Sequence, residues 1–184
     1  MSIAQERDLT LDDVMQLTSE KITDLWKSLP SASLQELHGE YEGHVPMVGA
    51  DEEFIAQINE SMRNEDGPFG YWIGKAFKAT DSEQSEGYNH WRKAGTNGIR
   101  NMRYKTFIEV SEIDGKPSLM MDYGPFIEPE QEWYFKDEVR KLNEEIHLLM
   151  GVSVTVEGGE RTVLGPIAIT GPIHDWVGAD EITD

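Results

Sequence analysis

The sequence predicts an antiparallel β-barrel preceded by helices, a mainly β fold of the α+β class. Three observations lead to this prediction. Amphipathic helical segments lie in the first third of the chain, roughly seven or eight strand patterns follow them, and helices and strands do not alternate. The absence of alternation disfavours parallel α/β folds, whereas closing an antiparallel sheet of this size removes its exposed edges.

The first element is predicted to be a single N-terminal helix within residues 1–30. Apolar side chains fall on one stripe at helical spacing, while charged side chains fall elsewhere. The stripe consists of Leu11, Met15, Thr18, Ile22, Leu25 and Leu29. Thr10 is the predicted N-cap, and Pro30 ends the helix because proline cannot continue it.

The barrel is predicted to occupy residues 39–171, with a second amphipathic helix inserted at residues 51–64. Phe54, Ile58 and Met62 indicate the inserted helix because they recur at helical spacing before an Asp-Gly-Pro breaker. Beyond this helix the pattern changes to period two, with aromatic and β-branched residues between glycine, aspartate and proline. The whole chain, residues 1–184, is therefore expected to form one domain.

A hairpin around Asp114-Gly115 is the clearest local prediction. This dipeptide is favoured in tight turns because it tolerates positive φ, and it separates strand patterns at residues 103–112 and 116–123. A further strand is predicted over residues 146–156, where every even position is apolar. The even side chains of that strand are expected to point inward.

The C-terminal part of the chain is expected to leave the barrel. Residues 157–160, Glu-Gly-Gly-Glu, are predicted to turn the chain before a last strand. Residues 172–184 are rich in acidic side chains and are predicted to form a loosely held tail.

Composition limits both the partners and the chemistry. The chain has 184 residues and a formal charge of −19, and it contains no cysteine. A strongly acidic protein repels phosphate backbones and anionic membrane surfaces, so neither nucleic acid nor a membrane is an expected partner. Without cysteine, disulfides, thiolate nucleophiles and cysteine-ligated metals are excluded. The N-terminus lacks a signal-peptide pattern, and a cytoplasmic protein is expected.

The usual signatures of cofactor and metal enzymes are missing from the sequence. There is no Gly-x-Gly-x-x-Gly, no Walker-type Gly-Lys-Ser/Thr and no Gly-x-Ser-x-Gly. The five histidines show no metal-binding spacing such as His-x-His or His-Glu-x-x-His. No cofactor and no metal site are therefore expected, which leaves cofactor-free chemistry or none.

Two glycine-containing motifs resemble those of the GXWXG family of small proteins. Residues 37–43, Leu-His-Gly-Glu-Tyr-Glu-Gly, are followed by residues 72–77, Trp-Ile-Gly-Lys-Ala-Phe. The resemblance spans roughly residues 25–150 and departs from the family where Tyr41 stands in place of a tryptophan. A second family signature, an aspartate followed by an arginine, is matched loosely by residues 137–140, Asp-Glu-Val-Arg. The resemblance implies a lipocalin-like barrel and little about activity, because the activity of the family is not settled.

Aromatic and polar side chains on the strands next to these motifs are the candidate ligand-binding residues. Small-ligand cavities combine aromatic walls with a few polar groups. The candidates are Trp72, Lys75, Asn89, Trp91, Tyr104 and Tyr123. Lys75 in an apolar lumen would act as a base or an anion anchor, whereas on the outer face it would be an ordinary solvated lysine.

The candidate acid–base residues are His44, His90, Asp122 and Arg103. The two histidines lie near the glycine and aromatic motifs, and an inward carboxylate would pair with an arginine or be held protonated. The basic cluster that includes Arg103 indicates either an anion site or local charge balance against the acidic surface. Neighbours such as Arg103 and Tyr104 point to opposite faces, so about half of all the candidates should fall outside the lumen.

The predicted function is that of a barrel that binds one small apolar or aromatic molecule and transforms it without a cofactor. A dry cavity with one acid and one base suffices for isomerase or lyase chemistry. The alternative is a non-catalytic carrier with the same pocket. A third alternative is an oligomeric structural module, in the simplest form a homodimer, whose apolar faces form subunit contacts. An acid–base pair on opposite walls would favour the enzyme, and an all-apolar lining with one anchor would favour the carrier.

Overall fold

Eight antiparallel strands close into a barrel in the part of the chain that the structure describes. The computed structural model describes residues 8–128, 130–155 and 161–180. The strands are β1 (Gly39–His44), β2 (Tyr71–Phe77), β3 (Gln84–Arg92), β4 (Ile99–Val110), β5 (Pro117–Asp122), β6 (Trp133–Lys141), β7 (Ile146–Thr155) and β8 (Arg161–His174). Each strand pairs with the next, and β8 pairs with β1 to close the sheet. The predicted fold class is confirmed, since this is the topology of a lipocalin-like barrel.

The predicted N-terminal helix is in fact two helices. α1 (Leu11–Met15) and α2 (Ser19–Ser28) are separated at Thr18, whose side-chain oxygen accepts a hydrogen bond from the backbone N–H of Lys21. The prediction placed Thr18 inside one continuous helix and was wrong there, because a capping threonine satisfies an N–H group that a helix start leaves free. Thr10 caps α1 as predicted.

The inserted helix, α3 (Glu52–Ser61), is shorter than the predicted 51–64. It begins after Asp51, whose carboxylate accepts a hydrogen bond from the backbone N–H of Phe54 at 2.8 Å. A short 3₁₀ helix, Gly124–Phe126, follows β5. The only helices long enough to pack a full apolar face among the described residues are therefore α2 and α3, and neither is long and apolar enough to cross a membrane.

The hairpin around Asp114-Gly115 is confirmed. β4 and β5 pair antiparallel from Lys105 opposite Asp122 to Val110 opposite Pro117. Gly115 has a φ of 74°, a left-handed conformation that glycine adopts without steric cost. The local turn chemistry therefore sets the register of this strand pair.

An apolar core fills much of the barrel interior. Its buried members are Ala32, Leu34, Leu37, Tyr41, Phe77, Tyr104, Leu119, Met121, Tyr123, Val139, Leu149 and Ile169. Residues 31–37 cross one end of the barrel, where the backbone N–H of Ala32 donates to the carbonyl of Val139. We call this the closed end. The opposite end, where β2 begins and β3 ends, is called the mouth.

Helices α1 and α2 pack on the outside of the barrel. Ile22 and Trp26 of α2 form a buried cluster with Leu148 and Met150 of β7, whereas Leu149 belongs to the interior core. The prediction that the even side chains of this strand point into the barrel was wrong about the face. Ile146, Leu148 and Met150 are buried under the helices instead, because this part of β7 is covered on both sides and alternation alone does not distinguish two buried faces.

The described part of the predicted tail is held against the barrel. β8 runs through His174, and residues 175–180 continue along the outer wall as a segment that we call the C-terminal strap. The backbone N–H groups of Val177 and Gly178 donate to the Tyr88 hydroxyl. The expectation of a loose tail over residues 172–184 is therefore wrong for residues 172–180.

Some of the sequence predictions fall outside the described residues. These are the turn at residues 157–160, the end of the predicted strand at residue 156 and the last four residues of the predicted tail, 181–184.

Candidate functional site

A layer of polar side chains crosses the lumen between the closed end and the mouth. Lys75 lies on β2, Asn89 on β3, Tyr123 directly after β5 and Asp137 on β6. All four residues are buried. Because β2 and β6 are four strands apart in a closed sheet of eight, Lys75 and Asp137 meet from opposite walls. We call these four residues the polar layer.

The Lys75 ammonium is at the centre of the polar layer. It lies 2.8 Å from Asp137 Oδ2, and it donates to the Tyr123 hydroxyl at 2.7 Å and to Asn89 Oδ1 at 3.4 Å. Three aromatic rings surround it with centroids 5.3 to 5.8 Å away, those of Trp72, Tyr104 and Tyr123. Aromatic faces attract cations, so one carboxylate and three ring faces balance the buried charge.

Asn89 and Tyr123 use their full hydrogen-bonding capacity. Asn89 Oδ1 accepts from the Trp72 indole N–H at 3.0 Å as well as from the ammonium. The Asn89 amide donates to the Tyr123 hydroxyl at 3.1 Å and to the Met102 carbonyl at 3.3 Å. The Tyr123 hydroxyl accepts from the ammonium and the amide, and it donates to Asp137 Oδ2 at 3.4 Å.

Burial controls the charge state of the tyrosines beside the ammonium. Burial raises the pKa of Tyr123 well above its usual value, and the Asp137 carboxylate raises it further. Burial likewise raises the pKa of Tyr104. Both hydroxyls therefore stay protonated. Removing a lysine and an aspartate from water is costly, and the pairing of Lys75 with Asp137 offsets that cost.

Gly43 and Gly74 leave room for the packing around the polar layer. A β-carbon at Gly43 would overlap the Trp72 ring, and one at Gly74 would overlap the carbonyl oxygen of Tyr41 on the neighbouring strand. Only glycine allows such close approach. These two glycines belong to the motifs that resemble the GXWXG family.

An apolar cluster covers the polar layer at the mouth. Val45, Trp72 and Trp91 are buried there, and α3 packs on them with an apolar face that includes Phe54 and Ile58. No residue of α3 is itself buried, so the helix rests on the barrel through a shallow contact. The indole N–H of Trp91 is buried and has no acceptor within the described chain. We call these residues the mouth cluster.

All six predicted ligand-binding residues lie in the barrel interior. The polar layer contains Lys75, Asn89 and Tyr123. The mouth cluster contains Trp72 and Trp91, and Tyr104 contacts the ammonium from within the apolar core. Their contribution to ligand binding stays a prediction.

The four predicted acid–base residues, His44, His90, Arg103 and Asp122, face the outer wall. His44 Nε2 lies 2.9 Å from the Thr170 hydroxyl, and burial lowers the pKa of His44. Arg103 donates to the Glu86 carboxylate at 2.8 Å, and Asp122 lies 3.8 Å from the Lys136 ammonium. As an acid–base site inside the lumen this set is wrong, because the uncharged neighbours on the same strands occupy the inward positions.

Asp137 belongs to the polar layer but was not among the residues predicted to form the site. It lies between Phe135 and Val139 at every second position of β6, and both of these side chains join the interior core. An apolar–aspartate–apolar pattern with period two therefore marked an inward carboxylate. The sequence had singled out residues 137–140 only as a loose match to the second signature of the GXWXG family.

A second buried polar cluster lies on the outer wall beneath the C-terminal strap. Glu40 is fully buried and lies 2.6 Å from Arg100 Nε, 2.9 Å from the Tyr88 hydroxyl and 3.2 Å from His90 Nδ1. Burial lowers the pKa of His90. These residues alternate with lumen residues such as Tyr41 and so cannot reach the polar layer. The cluster attaches the strap to the barrel.

The described residues form no metal cluster, and a surface groove outside the closed end is separate from the polar layer. Within residues 8–128, 130–155 and 161–180, no three histidine or carboxylate side chains converge as metal ligands would. A groove of about 720 Å³ lies outside the closed end, lined by residues 31–35, 81–84 and 107–108. It includes no residue of the polar layer.

Comparison with known proteins bears on the fold. No family model and no curated protein matches the chain. The crystal structure of a protein from Thermomonospora curvata matches with a TM-score of 0.54 and 14% sequence identity, over 92% of this chain and 98% of that one. The odorant-binding protein from bovine nasal mucosa matches with a TM-score of 0.37 and 16% identity, over 79% of this chain and 78% of that one. The chain is thus similar in fold to the Thermomonospora curvata protein.

Proposed function

We propose that this barrel binds a small, largely apolar molecule at its mouth and acts on it as a cofactor-free acid–base enzyme of the isomerase or lyase type. The bound molecule would lie between α3 and the polar layer, in contact with the mouth cluster. The observation that carries the proposal is the Lys75–Asp137 pair, which joins opposite walls of an otherwise largely apolar interior.

A buried ion pair is a poor way to stabilise a barrel. Well-packed apolar residues of similar volume are often as stabilising as a buried pair or more so, because both charges must leave water. Most of the interior of this barrel is built from such apolar residues. The polar layer is therefore better explained by chemistry or recognition at the mouth than by packing alone.

The polar layer supplies a carboxylate that acts first as a base and then, once protonated, as an acid. Asp137 takes a proton from one position of the bound molecule and returns it at another, while the Lys75 ammonium and the Tyr123 hydroxyl, which both contact Asp137 Oδ2, hold the carboxylate in place. The mouth cluster excludes water, which strengthens these electrostatic interactions. Trp72 and Trp91 provide the apolar contact surface.

Non-catalytic carriage is the second candidate function. The mouth cluster is largely apolar, and the shallow contact of α3 would allow a ligand to enter and leave. In a carrier the polar layer would anchor one polar group of the cargo without proton transfer. The two functions differ in whether the bound molecule is converted.

A matched pair of aspartate variants tests the proposal. Binding is measured with the neutral dye N-phenyl-1-naphthylamine, and a collection of small neutral aromatic and alicyclic compounds is screened for conversion by mass spectrometry. We expect Asp137→Asn to slow conversion by about a hundredfold or more, as for removal of a general base. Asp122→Asn, on the outer wall, should leave conversion unchanged.

The outcomes separate the candidates. Dye binding without conversion of any compound favours the carrier, and conversion that survives in Asp137→Asn rules out the acid–base role. A wild-type protein that binds neither the dye nor any compound rules out both candidates.

Two further expectations from the sequence stand as proposals. The glycine contacts at Gly43 and Gly74 are consistent with membership of the GXWXG family. The formal charge of −19 supports the absence of nucleic-acid binding.

A further inference from the structure

We infer that the ligand of this site is a neutral molecule bearing a hydroxyl group, whose O–H donates a hydrogen bond to Asp137 Oδ1. The inference rests on the proposed function and defines the chemical class that the mouth accepts. It follows from which polar atoms of the layer are already paired and which one is not.

The donors of the polar layer are fully used. The three protons of the Lys75 ammonium have three oxygen acceptors, on Asp137, Tyr123 and Asn89. The amide of Asn89 has two acceptors, and the hydroxyl hydrogen of Tyr123 is directed to Asp137. A ligand that offers only acceptors, such as a ketone or a carboxylate, therefore finds no free donor in the layer.

The unfilled position is an acceptor on Asp137. Its Oδ2 receives both the ammonium and the Tyr123 hydroxyl, whereas its Oδ1 accepts no hydrogen bond from any described residue. The side chain is only 10% exposed. A carboxylate oxygen with so little access to water gains strongly from a donated hydrogen bond, which a bound hydroxyl supplies.

A glycine lies beside this oxygen. Gly151 on β7 is paired with Asp137, and a β-carbon built on it would lie 3.2 Å from Asp137 Oδ1 and 3.4 Å from the β-carbon of Leu164. Leu164 is 43% exposed, and Gly165, opposite Gly151, has open space where a side chain would be. Asp137 Oδ1 therefore lies close to Gly151 and beside partly exposed residues of β8.

The charges at the site favour a neutral ligand over an anionic one. A carboxylate at this position would meet the ionised Asp137 oxygen with no free donor between them, and the formal charge of −19 repels anions before they bind. The buried N–H of Trp91, unpaired within the described chain, offers an additional contact to an oxygen-bearing ligand. A neutral alcohol or phenol satisfies these conditions.

Three compounds with one ring system test this class. The affinities of 2-naphthol, naphthalene and 2-naphthoate are measured at neutral pH by displacement of N-phenyl-1-naphthylamine. We expect 2-naphthol to bind at least tenfold more tightly than naphthalene, because a hydrogen bond to a buried charged group is among the stronger ones. 2-Naphthoate should bind more weakly than both.

Two variants locate the hydroxyl. Gly151→Ala adds one methyl group 3.2 Å from Asp137 Oδ1 without changing any charge, and Gly151 does not require a left-handed backbone. It should remove most of the advantage of 2-naphthol over naphthalene while dye binding persists. Asp137→Asn should also reduce that advantage, and Asp122→Asn, on the outer wall, should preserve it.

The results distinguish failure of the inference from failure of the proposed function. If the dye and naphthalene bind but 2-naphthol has no advantage, or 2-naphthoate binds best, the hydroxyl class is wrong and the binding site stands. If the advantage of 2-naphthol survives in both Gly151→Ala and Asp137→Asn, the assignment to Asp137 Oδ1 is wrong. If no probe binds the wild-type protein, the proposed function itself is overturned.

Discussion

At the scale of single residues, His147 is a buried histidine that is kept neutral by its surroundings. Its ring lies 6.3 Å from the Tyr41 ring, and its Nε2 lies 3.8 Å from Glu36 Oε1. Neither ring nitrogen has a hydrogen-bond partner among the described residues. Burial lowers the pKa of His147 to about 4, although the Glu36 carboxylate opposes the shift.

This burial predicts that acid destabilises the protein through His147. The unfolded chain binds the proton at the usual pKa of about 6.5, so the free energy of unfolding falls as pH drops from there towards 4. The loss from this one group is about 3 kcal/mol and does not grow further at lower pH. His147→Leu should remove this part of the pH dependence in urea unfolding between about pH 4 and 7.

An exposed histidine provides the control for this experiment. His174→Gln should keep the wild-type pH dependence, since His174 is exposed on the outer wall. A pH dependence in His147→Leu equal to that of the wild type would show that another group is responsible.

The inward and outward side chains could be predicted only in part from the sequence. Period-two patterns correctly separated Tyr104 from Arg103, and the cost of burying a charge argues for the tyrosine inside. Asp137 breaks that rule, because Lys75 comes from the opposite wall to pair with it. A partner more than sixty residues away in the sequence leaves no local pattern, so the pair appears only in the folded barrel.

At the scale of elements, the β4–β5 hairpin combines a local signal with a distant contact. The turn at Asp114-Gly115 was predictable because its chemistry is local. Asp114 also accepts two hydrogen bonds of 2.7 Å from Arg140, which is fully buried and lies 3.9 Å from the Trp26 ring. This contact attaches the hairpin to α2, and no short sequence pattern indicates it.

The Tyr88 hydroxyl is one of the groups that hold the C-terminal strap on the barrel. The Tyr88 hydroxyl donates to Glu40 and accepts the backbone N–H groups of Val177 and Gly178, and the Trp176 ring lies 4.8 Å from the Tyr88 ring. The Tyr88 hydroxyl therefore connects the buried carboxylate to the strap, and Arg100 forms a second connection through hydrogen bonds to Glu40 and Asp180.

We predict that Tyr88→Phe loosens the strap and lowers stability. It removes a hydrogen bond to a buried carboxylate and leaves two strap N–H groups without their acceptor, so the free energy of unfolding should fall by about 1–3 kcal/mol. Urea unfolding measures this loss, and limited proteolysis should cleave the strap faster. Tyr71→Phe is the matched control, since no hydrogen bond of the Tyr71 hydroxyl occurs among the described residues. Equal effects of both substitutions would contradict this role of Tyr88.

At the scale of the whole molecule, barrel closure followed from the number of strand patterns and their short connections. The sequence did not indicate which face of the barrel wall the helices cover. β7 is apolar on its even face and carries Leu149 on its odd face, so both sides are buried. An alternating pattern in such a strand does not reveal which side meets the helices, because that depends on contacts between distant parts of the chain.

The polar layer separates two differently packed halves of the interior, and we predict that they open independently. α3 has no buried residue, whereas residues 146–150 of β7 are buried on both faces. Amide hydrogens of α3 should exchange with solvent through local opening, and those of residues 146–150 only through global unfolding. Hydrogen exchange measured by mass spectrometry at increasing urea separates the two classes. Merging of both classes into one exchange rate would show that the barrel opens as a single unit.

The shallow contact of α3 with the barrel affects how this protein can change during evolution. Replacements in α3 alter how readily the mouth opens, while replacements at the closed end alter how long the folded state persists. Because the two sets of residues share few contacts, a lineage can become tolerant of heat without slowing the exchange of ligand, and it can accept new ligands without losing its fold.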